Sequence, residues 1–399
     1  MRNAILAAAI AFALLGAGLA ASFYFSHLRG IGPAIMPPPG DITKVIEAGG
    51  IPLTLPRGFS VSIFAKDLPG ARVMAFDSFG NMWVSQTSEG TVSLLEIDKE
   101  SGAVQSQNAV FLDLKNPHGL AFAPDNVFLL YIAEEDKVSR VGTYSEDTLH
   151  KIIDLPSGKG HFTRTIKFGP DKKLYVSIGS SCNVCNEGDE RRAKIFTADE
   201  DGSNFREFAR GLRNTVFFDW DAQGRMWGTD MGRDLIGDDI PPDEVNIIEE
   251  GKNYGWPICY GKNIHDADFD KNTYIRNPCM EPFETPSFMD LPAHVAPLGF
   301  VFIPESPAWP NEYWNDLLVA YHGSWNRSEP VGYKVVHFDM DEVDRTLDGG
   351  FPSEDFISGW LTSEGALGRP VDLVIGPDKA LYVSDDKAGV IYRVGRKSE

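Results

Sequence analysis

From Ile51 onward the apolar residues fall in short runs bounded by Gly, Pro, Asp and Asn. No stretch sustains the three-to-four-residue spacing of an amphipathic helix, so the pattern predicts an all-β chain. Six segments share one design: RVMAFDSFGNMWVSQ from Arg72, HGLAFAPDNVFLLYIAE from His118, RTIKFGPDKKLYVSIGS from Arg164, TVFFDWDAQGRMWGTD from Thr215, LGFVFIPESPAWPNEYWNDLLVAYHGS from Leu298 and RPVDLVIGPDKALYVSDD from Arg369. Each is an apolar strand, a turn carrying Pro-Asp or Asp-x-x-Gly in most copies, and a second apolar strand. A further short strand follows in most cases, as in VSLLEI, KVSRVGTY and YKVVHFDM. A meander repeated at intervals of roughly 45 to 80 residues has the period of propeller blades with insertions. The count predicts a six-bladed β-propeller; a pair of β-sandwiches is the alternative, which would not require such self-similarity. The longest insertion, about Trp256 to Ala296, is expected to overhang one face.

The first residues have another pattern. Arg2 precedes an uncharged, mostly apolar run from Asn3 to Ser26, which as a helix would extend roughly 36 Å at about 1.5 Å per residue, enough to span a bilayer core. Residues 1–29 therefore read as a signal peptide, with Gly18-Leu19-Ala20 as a small-residue cleavage site, or as an uncleaved anchor that would keep the protein in contact with the membrane. Either reading exports the remainder of the chain. Residues 30–50, with GIGPAIMPPPG, read as an extended Pro-rich linker, and 51–399 as the propeller domain.

Composition narrows the function. A formal charge of −20 excludes a nucleic-acid-binding surface, which needs clustered Lys and Arg to neutralise phosphates. The four cysteines, Cys182 and Cys185 in CNVC and Cys259 and Cys279 within the insertion, favour two disulfides in an oxidising compartment. A redox motif or half a zinc site is the other reading of CNVC, though no second CxxC or paired His lies near it.

Three motifs carry candidate chemistry. His161, on a Gly-rich loop ahead of a repeated strand, is placed to accept a proton near neutral pH. PPDEVNIIEEGKNYGWP, from Pro241 to Pro257, supplies hard oxygens at Asp243, Glu244 and Tyr254 of the kind calcium takes, although it does not match the helix–loop–helix calcium pattern. Arg213 and Asn214 precede another repeated strand, where a guanidinium can fork onto a carboxylate. HGSWNR (His322 to Arg327) and GRPVD (Gly368 to Asp372) occupy equivalent edges of later repeats, so basic segments converge on one mouth of an acidic protein, which suggests an anionic ligand there.

Taken in order, these segments resemble the glucose/sorbosone dehydrogenase family, six-bladed propellers that use pyrroloquinoline quinone (PQQ) and calcium to oxidise aldoses. The likeness runs from Leu55 to Val394, and CNVC, NYGWPIC, HGSWNR and GRPVD place it nearest the sorbosone-dehydrogenase-like branch. The resemblance implies that His161 is the general base in oxidation of a sugar, a small-molecule substrate, at its anomeric hydroxyl or hydrated aldehyde. It implies that Arg213, Asn214 and Arg369 bind PQQ, and that Asp243, Glu244 and Tyr254 lie at calcium. It also implies a periplasmic or otherwise extracytoplasmic location and a periplasmic or membrane electron acceptor. Ser180 stands where glucose-oxidising members carry an acidic residue that orients the base, and Val371 where a second arginine falls. The cofactor-binding lysine has no clear counterpart, leaving Arg327 and His322 as candidates. The competing functional classes are a calcium-dependent propeller lactonase, which would place its acidic cluster at the central mouth, and a non-catalytic propeller that serves as a binding platform.

Overall fold

The structure is a computed structural model that describes residues 14–21, 52–144, 148–341 and 351–397. Six four-stranded antiparallel sheets follow one another along the chain, and each innermost strand packs on the innermost strands of both neighbouring sheets to close a ring. This is the six-bladed β-propeller that the repeats predict. Blade 1 starts with Ala71–Phe76, blade 2 with Gly119–Phe122, blade 3 with Arg164–Phe168, blade 4 with Thr215–Trp220, blade 5 with Pro297–Phe302 and blade 6 with Pro370–Ile375. Blade 6 is closed by a strand from the other end of the domain, Phe59–Ala65, which pairs with Val390–Arg396.

The recurring turn has a physical reason. Asp77 Oδ1 accepts from the amides of Phe79 and Asn81 and so closes its turn, while Oδ2 accepts from Trp83 Nε1 on the next strand. Asp221 does the same with the amides of Gln223 and Arg225 and with Trp227 Nε1. Asp171 and Asp378 use the hydroxyls of Tyr175 and Tyr382. One carboxylate thus sets the turn and fixes a large aromatic between blades, where Trp83 and Trp227 are almost fully buried. The outermost strands lack this signature. Val104–Phe111 and His150–Asp154 are largely exposed, so packing does not require an apolar run in them.

The insertion, residues 249–288, lies between the third and fourth strands of blade 4. It climbs the rim beside blade 3, where Asn253 pairs in parallel with Arg210 and Trp256 N donates to Gly211 O. Cys259–Cys279 pins it, and Asp266 reaches over the upper face to Arg233 at 2.8 Å. Of the expected leader or anchor, only residues 14–21 are described, as an exposed helix. The Pro-rich linker lies outside the described residues. Among the described residues no helix is long and apolar enough to cross a membrane.

Candidate active site

In an up-and-down four-stranded blade, the loop leading into the innermost strand and the loop joining the second and third strands lie at the same end. The first kind carries His118, His161, Arg213 and Arg369. The second carries Cys182–Cys185, Asp234, His322–Arg327 and Asp386. The topology therefore collects the basic and His-bearing segments of separate repeats around one mouth. Asp243, which opens the third strand of blade 4, joins them there.

His161 is half-buried, and its loop is locked to the blade by His161 N donating to Ser180 O at 3.0 Å. Gly160 makes this approach possible: at φ +82 any Cβ would fall on the Ser181 backbone. His161 Nδ1 lies 2.9 Å from Ser180 Oγ and 3.1 Å from Ser180 O. The Ser180 hydroxyl donates its only proton to Cys182 O at 2.8 Å. Towards the ring, the Ser180 hydroxyl must therefore accept, as the carbonyl must. Nδ1 carries the hydrogen and Nε2, which has no hydrogen-bond partner among the described residues, is the bare nitrogen. Burial and then the charges of Arg213, Arg164 and Arg192 hold the imidazole down to about 3, against a smaller opposing pull from Ser180 O. It is neutral at pH 7. Ser180 thus supplies the orientation that an acidic residue would give, without the negative charge with which a carboxylate would stabilise the protonated ring.

Arg213 and Asn214 are both buried. Asp230 cradles their backbone, accepting from Arg213 N at 2.9 Å and Asn214 N at 2.6 Å. The Arg213 guanidinium bonds Asn183 O and Oδ1 at 2.8 and 2.9 Å, Met231 O at 3.2 Å and Asp234 Oδ2 at 3.2 Å. Asn214 stands beside the base: a Cβ on Gly179 would lie 2.8 Å from His161 Cβ and nearer still to Asn214 Oδ1. These three expected residues are brought together.

The acidic motif divides. As neighbours on one strand, Asp243 and Glu244 point to opposite faces. Asp243 braces the mouth, accepting from Gly232 N and Ala296 N at 2.8 Å each, and burial raises it to about 7. Glu244 faces a pocket under the insertion with Arg213, Asp230, Tyr254, Trp256 and Tyr260. It accepts from Gly261 N at 2.6 Å and Asn246 Nδ2 at 2.9 Å, and burial, then the charge of Asp230, raises it to about 8. Asn246 Oδ1 beside it is buried with no partner. A buried carboxyl without a counter-charge next to an orphaned amide oxygen is a donor set suited to a hard cation. The Tyr254 hydroxyl is turned away, donating to Ile247 O at 2.7 Å and accepting from Glu249 N, which leaves the main chain as what Tyr254 can offer. The one group of three His, Cys, Asp or Glu ligand atoms close enough for an ion among the described residues is Cys182, Cys185 and Glu187. Its two sulfurs are joined in a disulfide, so they supply no thiolate and the zinc reading of CNVC fails.

Arg369 donates to His322 O at 3.0 Å and to Gly323 O, and lies 5.4 Å over the Tyr333 ring. His322 Nε2 bonds the Asp386 carboxylate at 2.9 Å, and Arg72 pairs with the same carboxylate at 2.6 Å. Arg327 instead reaches out to Asp238 O and Asp239 at 2.9 Å each, where it braces a loop. His118, fully buried, has Nε2 without a partner, as does Arg72 Nε. The sequence pattern assigns no role to Arg72, His118, Asn183, Asp234 or Asp386. Arg72 and His118 do open repeated segments, which is the signal that could have found them; the other three sit in loops with no pattern.

A family profile described as TrAA12-like matches residues 53–397. A Borreliella burgdorferi protein, named only as uncharacterized, is 32% identical over 89% of this chain and 93% of its own length. The pyrroloquinoline quinone-dependent pyranose dehydrogenase of Coprinopsis cinerea is 25% identical over 87% of this chain, which spans 55% of that enzyme's length. The holo form of the Coprinopsis cinerea pyranose dehydrogenase PQQ domain superposes with a TM-score of 0.68 at 23% identity, covering 86% of this chain and 97% of that domain. At that identity the superposition speaks for the fold.

Proposed function

The chain belongs to the TrAA12-like family, and on that premise we propose that it is a PQQ-dependent dehydrogenase that oxidises an aldose or sugar aldehyde. The observation that carries the reading is His161, a neutral imidazole whose bare Nε2 stands beside Asn214 at the mouth of the propeller.

PQQ is a planar quinone bearing three carboxylates, and the mouth fits such a group. Arg72, Arg213 and Arg369 gather there in a chain of net charge −20. Arg72 Nε is buried without a partner, so an anionic ligand would satisfy a donor that the protein leaves open. When bound, PQQ supplies a two-electron acceptor for the hydride of the sugar carbon. His161 Nε2 accepts the proton of the hydroxyl on that carbon. Ser180 holds the ring in the tautomer that this requires, and Asn214 offers its side-chain amide beside the reacting position. Calcium fits at Glu244 and Asn246 Oδ1, where it would compensate a buried carboxylate and stiffen the wall behind Arg213.

An exported location is the reading that the two disulfides support, with electrons leaving to a periplasmic or membrane acceptor. The test is reconstitution with PQQ and calcium and dye reduction across a panel of aldoses and sugar aldehydes. His161→Ala should retain PQQ binding and lose turnover by about 10²–10⁴-fold, the span of general-base catalysis. A variant that turns over sugars as fast as wild type refutes the assignment.

A further inference from the structure

The small Cys182–Cys185 loop lies against both the candidate base and the candidate cofactor arginine. Cys182 O takes the Ser180 hydroxyl proton at 2.8 Å, which obliges Ser180 Oγ to accept from His161 Nδ1. One residue on, Asn183 O accepts from Arg213 Nε at 2.8 Å and Asn183 Oδ1 accepts from Arg213 Nη2 at 2.9 Å. Asn183 Oδ1 also accepts from Asp234 N at 2.7 Å, while Asn183 Nδ2 donates to Asp234 O at 2.9 Å. Asp234 in turn pairs with Arg213 and accepts from Asn326 Nδ2 at 2.9 Å. Loops of blades 3, 4 and 5 are therefore tied together through one disulfide ring.

A bond between residues three apart closes so short a loop that it restrains the unfolded chain far less than Cys259–Cys279, at a separation of 20, does. Its effect lies in local geometry. It holds two adjacent residues so that one backbone carbonyl fixes a tautomer and the next residue clamps a guanidinium.

We infer that the Cys182–Cys185 loop is the positioning element of the active site: through Cys182 O and Ser180 it sets which nitrogen of His161 is the base, and through Asn183 it sets the orientation of Arg213. The inference rests on the proposed dehydrogenase reading for its purpose but not for its geometry, so the test begins without sugar or PQQ. In protein labelled with ¹⁵N at His and Arg, wild-type His161 should show its hydrogen at Nδ1, and the Arg213 Nε–H should exchange slowly with water. Ser180→Ala removes the nearer acceptor and leaves Ser180 O as the one acceptor at Nδ1, so the Nε2–H tautomer should gain a measurable share beside Nδ1–H while Arg213 exchange stays unchanged. Asn183→Ala should quicken Arg213 exchange at least tenfold and leave the His161 tautomer unchanged. The double variant Cys182→Ser/Cys185→Ser should do both. In the loaded enzyme, Asn183→Ala should weaken PQQ binding about tenfold. Ser180→Ala should lower kcat/KM about tenfold at unchanged PQQ affinity, with partial rescue by Ser180→Thr. Single variants that leave the tautomer and the exchange as in wild type overturn the inference, even if the double variant fails to fold. A wild type that shows these NMR signatures but oxidises no sugar would overturn the dehydrogenase reading and leave the positioning role standing.

Discussion

Gly179→Ala probes the site at its narrowest point. Gly179 follows the second strand of blade 3, and its φ lies outside the left-handed region, so alanine costs little in backbone terms. The obstacle is contact. The new methyl would lie 2.8 Å from His161 Cβ and closer to Asn214 Oδ1, whereas ordinary van der Waals contact begins near 3.4 Å. The imidazole must retreat by about half an ångström and the amide by more, on the side where Ser180, itself fully buried, gives them no room. A misplacement of about 1 Å in a reacting group costs on the order of 10²-fold in rate, while overpacking of one methyl costs about 1–3 kcal/mol, a few degrees of melting temperature at most for a domain of this size. The assay is steady-state dye reduction by the PQQ- and calcium-loaded enzyme, with melting followed in parallel. We expect kcat/KM to fall about 10²-fold in a protein that still melts cooperatively. Gly188→Ala, where a Cβ meets nothing within 4 Å, should leave turnover unchanged. Full turnover by a folded Gly179→Ala would show that His161 and Asn214 do not act as an adjoining pair.

Two further outcomes rest on burial and connectivity. Asp372 and Asp385 are buried and raised to about 7, so up to that pH the folded chain keeps protons that the unfolded chain has released. The histidines lowered by burial, such as His322 at about 4, oppose this only below their unfolded value of about 6.5. Between pH 6.5 and 8.5 the carboxyl contribution is therefore uncovered and stability declines as pH rises, because the raised carboxyls cost stability when they must ionise in the fold: the cost grows as pH rises through the unfolded value and is complete above the folded one, with a slope of at most about 1.4 kcal/mol per pH unit per group. 

A melting temperature of the apoprotein that climbs from pH 6.5 to 8.5 contradicts the assignment. Replacing Cys259 and Cys279 by serine frees a loop of sequence separation 20, worth about 3 kcal/mol by chain entropy. Proteolysis should then cut first within residues 260–288, and a cut elsewhere would show that the disulfide is not what pins the insertion.

The parts legible in the sequence are those in which one residue type serves the same purpose in several blades. The turn aspartates Asp77, Asp171, Asp221 and Asp378 each close a turn and hold an aromatic on the next strand, so turn and strand recur as one unit and the blade count can be read. The outer strands left no such mark: Val104–Phe111 is mostly exposed, and any residues that extend the ladder will serve there. The closing strand Phe59–Ala65 was invisible for another reason, since its partner Val390–Arg396 lies at the opposite end of the domain and local pattern carries no information about that pairing. The site divides along the same line. His161, Arg213 and Arg369 were readable because each precedes a repeated strand and topology turns that position toward the mouth. Asn183 and Asp234 act through loop backbone and through each other, Asp386 acts through Arg72 and His322 from other blades, and Ser180 stands where an acid is expected. What the composition of that position could not show is the direction of one hydroxyl: with its proton committed to Cys182 O, Ser180 presents a lone pair to His161 and performs the orienting half of a carboxylate's task. The other half, the negative charge that would stabilise the protonated ring, is absent, so the acid limb of kcat/KM in this chain should lie below that of a Ser180→Asp variant.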